Sequence, residues 1–312
     1  IFKMNIDKKI LEKQGYRFTG DHSSVKICSW TKSSLQDKGD CYKQKFYGIK
    51  THRCAQMTPS MVCPNRCVFC WRDLDYYTAE KMGEIDDPKE IIKNTIEQQR
   101  KLLSGMKGNK NINLEKFQES QNPNQFAISL TGEPTIYPKL NELLIEIHNL
   151  NATSFLVTNG MFPDALKNLK ELPTQIYLSL DAPTKEMYGT TDNPIMKDFW
   201  ERLNESLKIF SELKTRKVIR ITAVKGINMS HEEDYANLIK IANPDWVEIK
   251  SYSFIGESRA RLMQENVPSF EECKFFAEKI GNFLGMKIIN THKRSKAILL
   301  AKKETENRLL NK

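Results

Sequence analysis

From residue 125 onward the sequence alternates short β-like runs with amphipathic helical stretches, and no other feature restricts the fold so strongly. The strands read QFAISL (125–130), TSFLVT (153–158), QIYLSL (175–180), VIRITAV (218–224) and WVEIKSY (246–252). Between them lie helical patterns such as PKLNELLIEIHNL and DFWERLNESLKIFSEL. In the second, Phe199, Leu203, Leu207, Phe210 and Leu213 recur at the spacing of one helix face. A strand-like stretch near residues 55–61 stands before them, and the helical DPKEIIKNTIEQQRKLL follows it. Successive β-α units predict parallel strands, because each crossover helix returns the chain to the same end of the sheet. Six units closing partway predict an α/β fold, an incomplete TIM-like (β/α)6 barrel with functional loops at the C-terminal strand ends. MKIIN (286–290) and AILLA (297–301) are expected to add a closing hairpin or edge.

Two segments break this rhythm. Residues 104–124 are polar and rich in Gly and Asn, and are expected to form an exposed insertion. Residues 1–54 carry three cysteines and little periodic pattern. They are expected to fold over the barrel mouth as an extension ordered by a metal cluster. The chain thus divides into an extension (1–54), a barrel (55–285) and C-terminal strands with a tail (286–312). The start, IFKMNIDKKILEK, reads as an amphipathic helix without the apolar core or cleavage site of a signal peptide. No apolar run is long enough for a bilayer, so a cytoplasmic protein without membrane contact is expected. The net charge of +9 suits a polyanionic partner and equally a lysine-rich solvated surface.

Seven cysteines are present, and six of them fall before residue 71. An odd number argues against a disulfide framework, and the clustering points to thiolate ligands. Cys63, Cys67 and Cys70 form C-x3-C-x2-C within MVCPNRCVFCWRD. Structural zinc takes four ligands, so His52 or Cys54 would have to complete such a site. A 4Fe–4S cube held by three thiolates would instead keep one iron open, with Phe69 shielding it from water. Cys28, Cys41 and Cys54 are spaced with twelve residues between neighbours in polar sequence, which favours ligands over core thiols. Cys273 shares a helical face with Phe270, Ala277 and Ile280 and reads as a core thiol.

The C-x3-C-x2-C loop after a first strand, with an aromatic before its last cysteine, resembles the radical S-adenosylmethionine superfamily. The later strand ends extend the likeness. Thr131-Gly132-Glu133-Pro134 resembles that superfamily's Gly-Gly-Glu segment, with Thr in place of the first Gly. Thr158-Asn159-Gly160, Ser179-Leu180-Asp181, Arg220 and Thr222 stand at or near the next strand ends. Each alone is ordinary turn chemistry. The resemblance implies that the open iron chelates S-adenosylmethionine, that Glu133 and its neighbouring backbone hold the amino group, and that Thr158 and Asn159 meet the ribose or carboxylate. Cleavage of the cofactor then yields a 5′-deoxyadenosyl radical.

The paired C-x12-C-x12-C and C-x3-C-x2-C patterns resemble the tRNA 4-demethylwyosine synthases of archaeal type. This resemblance implies a second 4Fe–4S cluster on Cys28, Cys41 and Cys54. It implies N1-methylguanosine next to the anticodon of tRNA-Phe as substrate, and pyruvate as two-carbon donor. Lys43, two residues after Cys41, would form a Schiff base with pyruvate, or pyruvate would bind the second cluster's open iron. The radical would take hydrogen from the N1-methyl group, carbon–carbon bond formation and cleavage would follow, and transimination would close the ring. A separate electron-donor protein and a monomeric enzyme are expected. RNA contacts are expected from Lys250, Arg259, Arg261, Lys107 and Lys110, with Tyr76, Tyr77 or Trp71 stacking on a base. The competing readings are another radical enzyme, such as a glycyl-radical activase, and a zinc-stabilised RNA-binding protein. Two cubes would bring roughly eight irons, one cube roughly four and zinc none.

Overall fold

The computed structural model describes residues 8–79 and 81–310, apart from the side chains of residues 75, 76 and 306. Ten strands form one sheet: β1 (Tyr16–Phe18), β2 (Ser24–Lys26), β3 (Cys54–Thr58), β4 (Gln125–Ile128), β5 (Thr153–Thr158), β6 (Gln175–Ser179), β7 (Arg216–Ala223), β8 (Trp246–Ser251), β9 (Lys287–His292) and β10 (Ala297–Ala301). Their order is β1-β2-β3-β4-β5-β6-β7-β8-β10-β9. The run from β3 to β8 is parallel throughout, giving the six expected β-α units. Antiparallel strands finish both edges: β2 and β1 beyond β3, and the β10–β9 hairpin beyond β8. The hairpin matches expectation. The β1–β2 pair was not read from the sequence, because strands this short carry no period.

Alternation along each strand separates two faces. Leu156, Ile176, Leu178, Ile219, Ile221, Val247 and Ile249 pack outward against the helices in the main core. Phe155, Tyr177, Val218 and Trp246 face inward and join a second core. Register then stacks the lumen in layers. Tyr177 lies level with Val218 and Trp246, Ser179 with Arg220 and Glu248, and Thr222 with Lys250.

The extension enters this lumen instead of lying over the mouth. Helix Tyr42–Tyr47 brings Tyr42, Phe46 and Tyr47 against Phe155, Tyr177, Val218 and Trp246. An apolar face of three large aromatics gains more from burial than from capping a polar rim. Gly48 ends the helix in the left-handed conformation at φ 78°.

The expected insertion at 104–124 is only partly irregular. Helix Leu114–Ser120 forms within it, capped by the Asn113 side chain, and buries Phe117 against Leu35 and Leu103. The helix before it, Pro88–Ser104, starts on an Asp87 cap with proline in its first turn. Among the described residues no helix is long and apolar enough to cross a membrane.

Candidate active site

The cysteine loop leaves β3 at the C-terminal end of the barrel and is held by backbone contacts on several sides. Cys63 N–H donates to Tyr77 O at 3.0 Å and Glu257 N–H to Trp71 O at 3.0 Å. Arg66 and Val68 N–H groups reach Asp192 O and Thr191 O at 2.9 Å. Arg72 is buried within the loop and donates to the Tyr77 and Asn65 carbonyls. Arg261 crosses from the far side to the Val68 and Cys70 carbonyls. This arginine, expected at the RNA, clamps the loop through those two carbonyls.

The loops after the next strands fit against the first. Gly132 has φ +71°, and a Cβ there would stand 2.0 Å from Ser60 O. Only glycine permits that approach. Glu133 N–H reaches Val62 O at 2.8 Å. The buried Glu133 carboxylate accepts from Thr135 N (3.0 Å), Thr135 Oγ1 (2.6 Å), Thr158 Oγ1 (2.8 Å) and Asn159 N (2.8 Å). It was expected to hold the cofactor's amino group. With this set of chain donors, Glu133 ties the loop after β4 to the loop after β5. Asn159 carries the brace onward, its Nδ2 lying 3.4 Å from Cys63 Sγ. Thr131 hydrogen-bonds the Tyr16 hydroxyl.

Deeper in, Asp181 Oδ1 accepts Thr222 N–H at 2.6 Å, and burial pushes its carboxyl up to about 6. Ser179 pairs with Arg220 across β6 and β7. Asp192, which no sequence signal marked, is buried with Oδ1 3.3 Å from Cys67 Sγ.

The second cysteine set lies beside Lys43. Cys28, Cys41 and Cys54 act electrostatically on one another, and Lys43 acts on Cys41 and Cys54. The Lys43 side chain is buried, with Nζ 4.7 Å from the Tyr177 ring centre and 5.5 Å from that of Phe155. Burial lowers its pKa and the nearby Glu248 opposes that shift. Glu248 is fully buried on β8 and accepts from Tyr42 OH at 2.7 Å and Tyr47 OH at 3.1 Å. A lone Glu within WVEIKSY was the available signal for it, and sequence reasoning passed it over.

These thiols suit iron–sulfur cubes. Burial pushes Cys41, Cys54 and Cys63 up to about 12, so only a bound cation would hold them as thiolates near neutral pH. Among the described residues no three ligand side chains are close enough for one metal ion. A tetrahedral zinc at about 2.3 Å from each sulfur would require that closeness. A cube, with a separate iron for each thiolate, spreads its ligands further.

The other residues singled out in the sequence take varied positions. Lys250 faces the lumen. Arg259, Lys107 and Lys110 are exposed. Trp71 stacks on Tyr16, with ring centres 5.7 Å apart. Tyr77 is buried, the Tyr76 side chain lies outside the described residues, and Cys273 is a buried core thiol.

Comparison with known proteins agrees with this geometry. The radical SAM superfamily model matches residues 57–239, and the wyosine base formation model matches 241–302. The S-adenosyl-L-methionine-dependent tRNA 4-demethylwyosine synthase of Pyrococcus horikoshii is 42% identical over 97% of this chain and 91% of its own length. The Oryza sativa synthase is 43% identical over 94% of this chain, which spans 45% of that longer relative. The structure of TYW1 with a lysine–pyruvate adduct bound superposes with a TM-score of 0.87 at 34% identity, covering 99% of both chains. The crystal structure of archaeal TYW1 gives 0.80 at 32% identity, over 97% of this chain and 98% of the other. With its six-strand partial barrel and its cysteine loop at the C-terminal strand ends, the chain belongs to the tRNA 4-demethylwyosine synthase family, radical S-adenosylmethionine enzymes of wyosine-base formation.

Proposed function

We propose that the chain converts N1-methylguanosine next to the anticodon of tRNA-Phe to 4-demethylwyosine, with pyruvate as two-carbon donor and Lys43 as the residue that binds it covalently. The observation carrying this reading is a buried lysine between aromatic rings and the second cysteine set, inside the same lumen that the first cysteine loop caps. A relative of this fold is known with a lysine–pyruvate adduct bound.

Cys63, Cys67 and Cys70 would hold one 4Fe–4S cluster, and Cys28, Cys41 and Cys54 a second. When bound, the first cluster and S-adenosylmethionine supply a carbon radical able to abstract hydrogen. The chain does the rest by placement. The Thr131–Gly132 backbone, Thr158, Asn159, Ser179, Asp181 and Thr222 would line the cofactor's side of the lumen, and Glu133 keeps two of these loops in register. Lys43 attacks the pyruvate carbonyl as a free amine. Nitrogen gives up its protons, and the carbonyl oxygen leaves as water. Burial favours the neutral amine that this requires, while Phe155 and Tyr177 shield the adduct from bulk water.

The test is an anaerobic reaction of the reconstituted enzyme with S-adenosylmethionine, pyruvate and tRNA bearing N1-methylguanosine, followed by nucleoside mass spectrometry. The wild type should form the tricyclic base. Lys43→Ala should form none while still cleaving S-adenosylmethionine. Cofactor cleavage without tricyclic base in the wild type would remove the specific reaction, and full activity in Lys43→Ala would remove the lysine.

A further inference from the structure

The lumen holds cations that its carboxylates do not hydrogen-bond. Arg220 and Lys250 both lie within electrostatic reach of Glu248. Both Glu248 oxygens already accept from Tyr42 and Tyr47. Asp181 is engaged by the Thr222 amide. Arg220 Nε is buried with no hydrogen-bond partner among the described residues. Lys250 lies on the next layer of the same lumen face, and its side chain makes no hydrogen bond among the described residues. Buried cationic donors without partners are costly unless an anion completes them.

Space for such an anion is present. Lys250 opens onto a cavity of about 200 Å³ whose lining includes Trp30, Tyr252, Arg294, Ser295 and Lys296 and no carboxylate. Ser295 Oγ is buried there without a partner among the described residues. Lys296 Nζ is engaged by Pro268 O at 2.9 Å, and Arg294 by Lys38 O at 2.5 Å. That leaves Lys250 as the unengaged cation of the cavity. The volume suits a small acid better than a nucleotide. Lys250 and Lys43 also share Arg220, Glu248 and Cys41 as neighbours, so one small molecule could meet both.

We propose that Lys250, with Arg220, receives the carboxylate of the 2-oxo acid and presents its carbonyl to Lys43. This rests on the reading of Lys43 given above. It makes Lys250 a substrate-binding residue that selects an acid over a neutral ketone.

Trapping with cyanoborohydride on the anaerobically reconstituted enzyme reads the adduct directly, by peptide mass at Lys43. The wild type should trap pyruvate at lower concentration than methyl pyruvate, which lacks the negative charge. Lys250→Met should raise the half-saturating pyruvate concentration by about tenfold or more, the usual loss for a hydrogen bond to a charged group. It should leave methyl pyruvate trapping unchanged, and Lys250→Arg should restore the preference. Unchanged pyruvate dependence in Lys250→Met overturns the proposal, as does an equal loss for acid and ester. Weakened tRNA binding with unchanged pyruvate dependence would assign the cation to an RNA phosphate and overturn it too. Absence of any Lys43 adduct in the wild type would overturn the Lys43 reading itself.

Discussion

Tyr42→Phe isolates the contact that holds helix Tyr42–Tyr47 in the lumen. The substitution keeps the ring, which packs edge-on to Phe46 at 5.4 Å, and removes only the hydroxyl. That hydroxyl donates to Glu248 at 2.7 Å, against 3.1 Å for Tyr47, so it is the shorter of the two bonds on a fully buried carboxylate. Hydrogen bonds to charged groups contribute about 1.5–3 kcal/mol, and the carboxylate left with one donor adds to the loss. Opening of the helix should therefore become easier by roughly 10- to 150-fold. Amide hydrogen exchange across residues 42–47 measures this opening. In a Glu248→Gln background the acceptor is neutral, and the same substitution should cost only about 0.5–1.5 kcal/mol. The two changes should thus be coupled. Unchanged exchange in Tyr42→Phe, or strict additivity in the cycle, would refute the claim that this bond anchors the helix and with it Lys43.

Two further outcomes follow from local geometry. Gly132→Ala should displace the cysteine loop, because its Cβ would stand 2.0 Å from Ser60 O at φ +71°. Iron content and visible absorption after reconstitution should fall at the first cluster, and a normal spectrum would count against the close approach. Helix Phe270–Leu284 begins with a capping box in which Glu272 accepts Ser269 N–H at 2.7 Å and meets Lys225 at 2.5 Å. Lys225 beside it holds the Glu272 carboxyl down at about 2. A lowered carboxylate stabilises fully above its unfolded pKa of about 4.3 and loses that contribution as pH falls toward 2. Urea midpoints of Glu272→Gln should therefore trail the wild type most near neutrality and converge with it in acid. A gap independent of pH would show that the charge contributes nothing.

Much of the fold was legible because its repeat is long and regular. The strands from QFAISL to WVEIKSY lie where their apolar runs place them, since each is buried on both faces or against aromatic rings. The edge pair Tyr16–Phe18 and Ser24–Lys26 was not, because strands of three residues are defined by their partners. The helix carrying Lys43 was missed for the same reason. YKQKFY is too short to show a period, and the barrel lumen supplies the partner for its aromatic face.

The sequence by itself determined the chemistry. The cysteine spacings and the residues at the strand ends carry the family likeness, so the family was readable from residue order. Only the tertiary structure decided what each polar side chain does once there. Glu133 braces two loops, Arg261 clamps the cysteine loop and Lys250 faces the lumen, and none of these contacts follows from spacing along the chain. The physical reason is that a role depends on which donors and acceptors surround a group. In a barrel those neighbours come from strands far apart in the chain, so spacing along the chain does not reveal them.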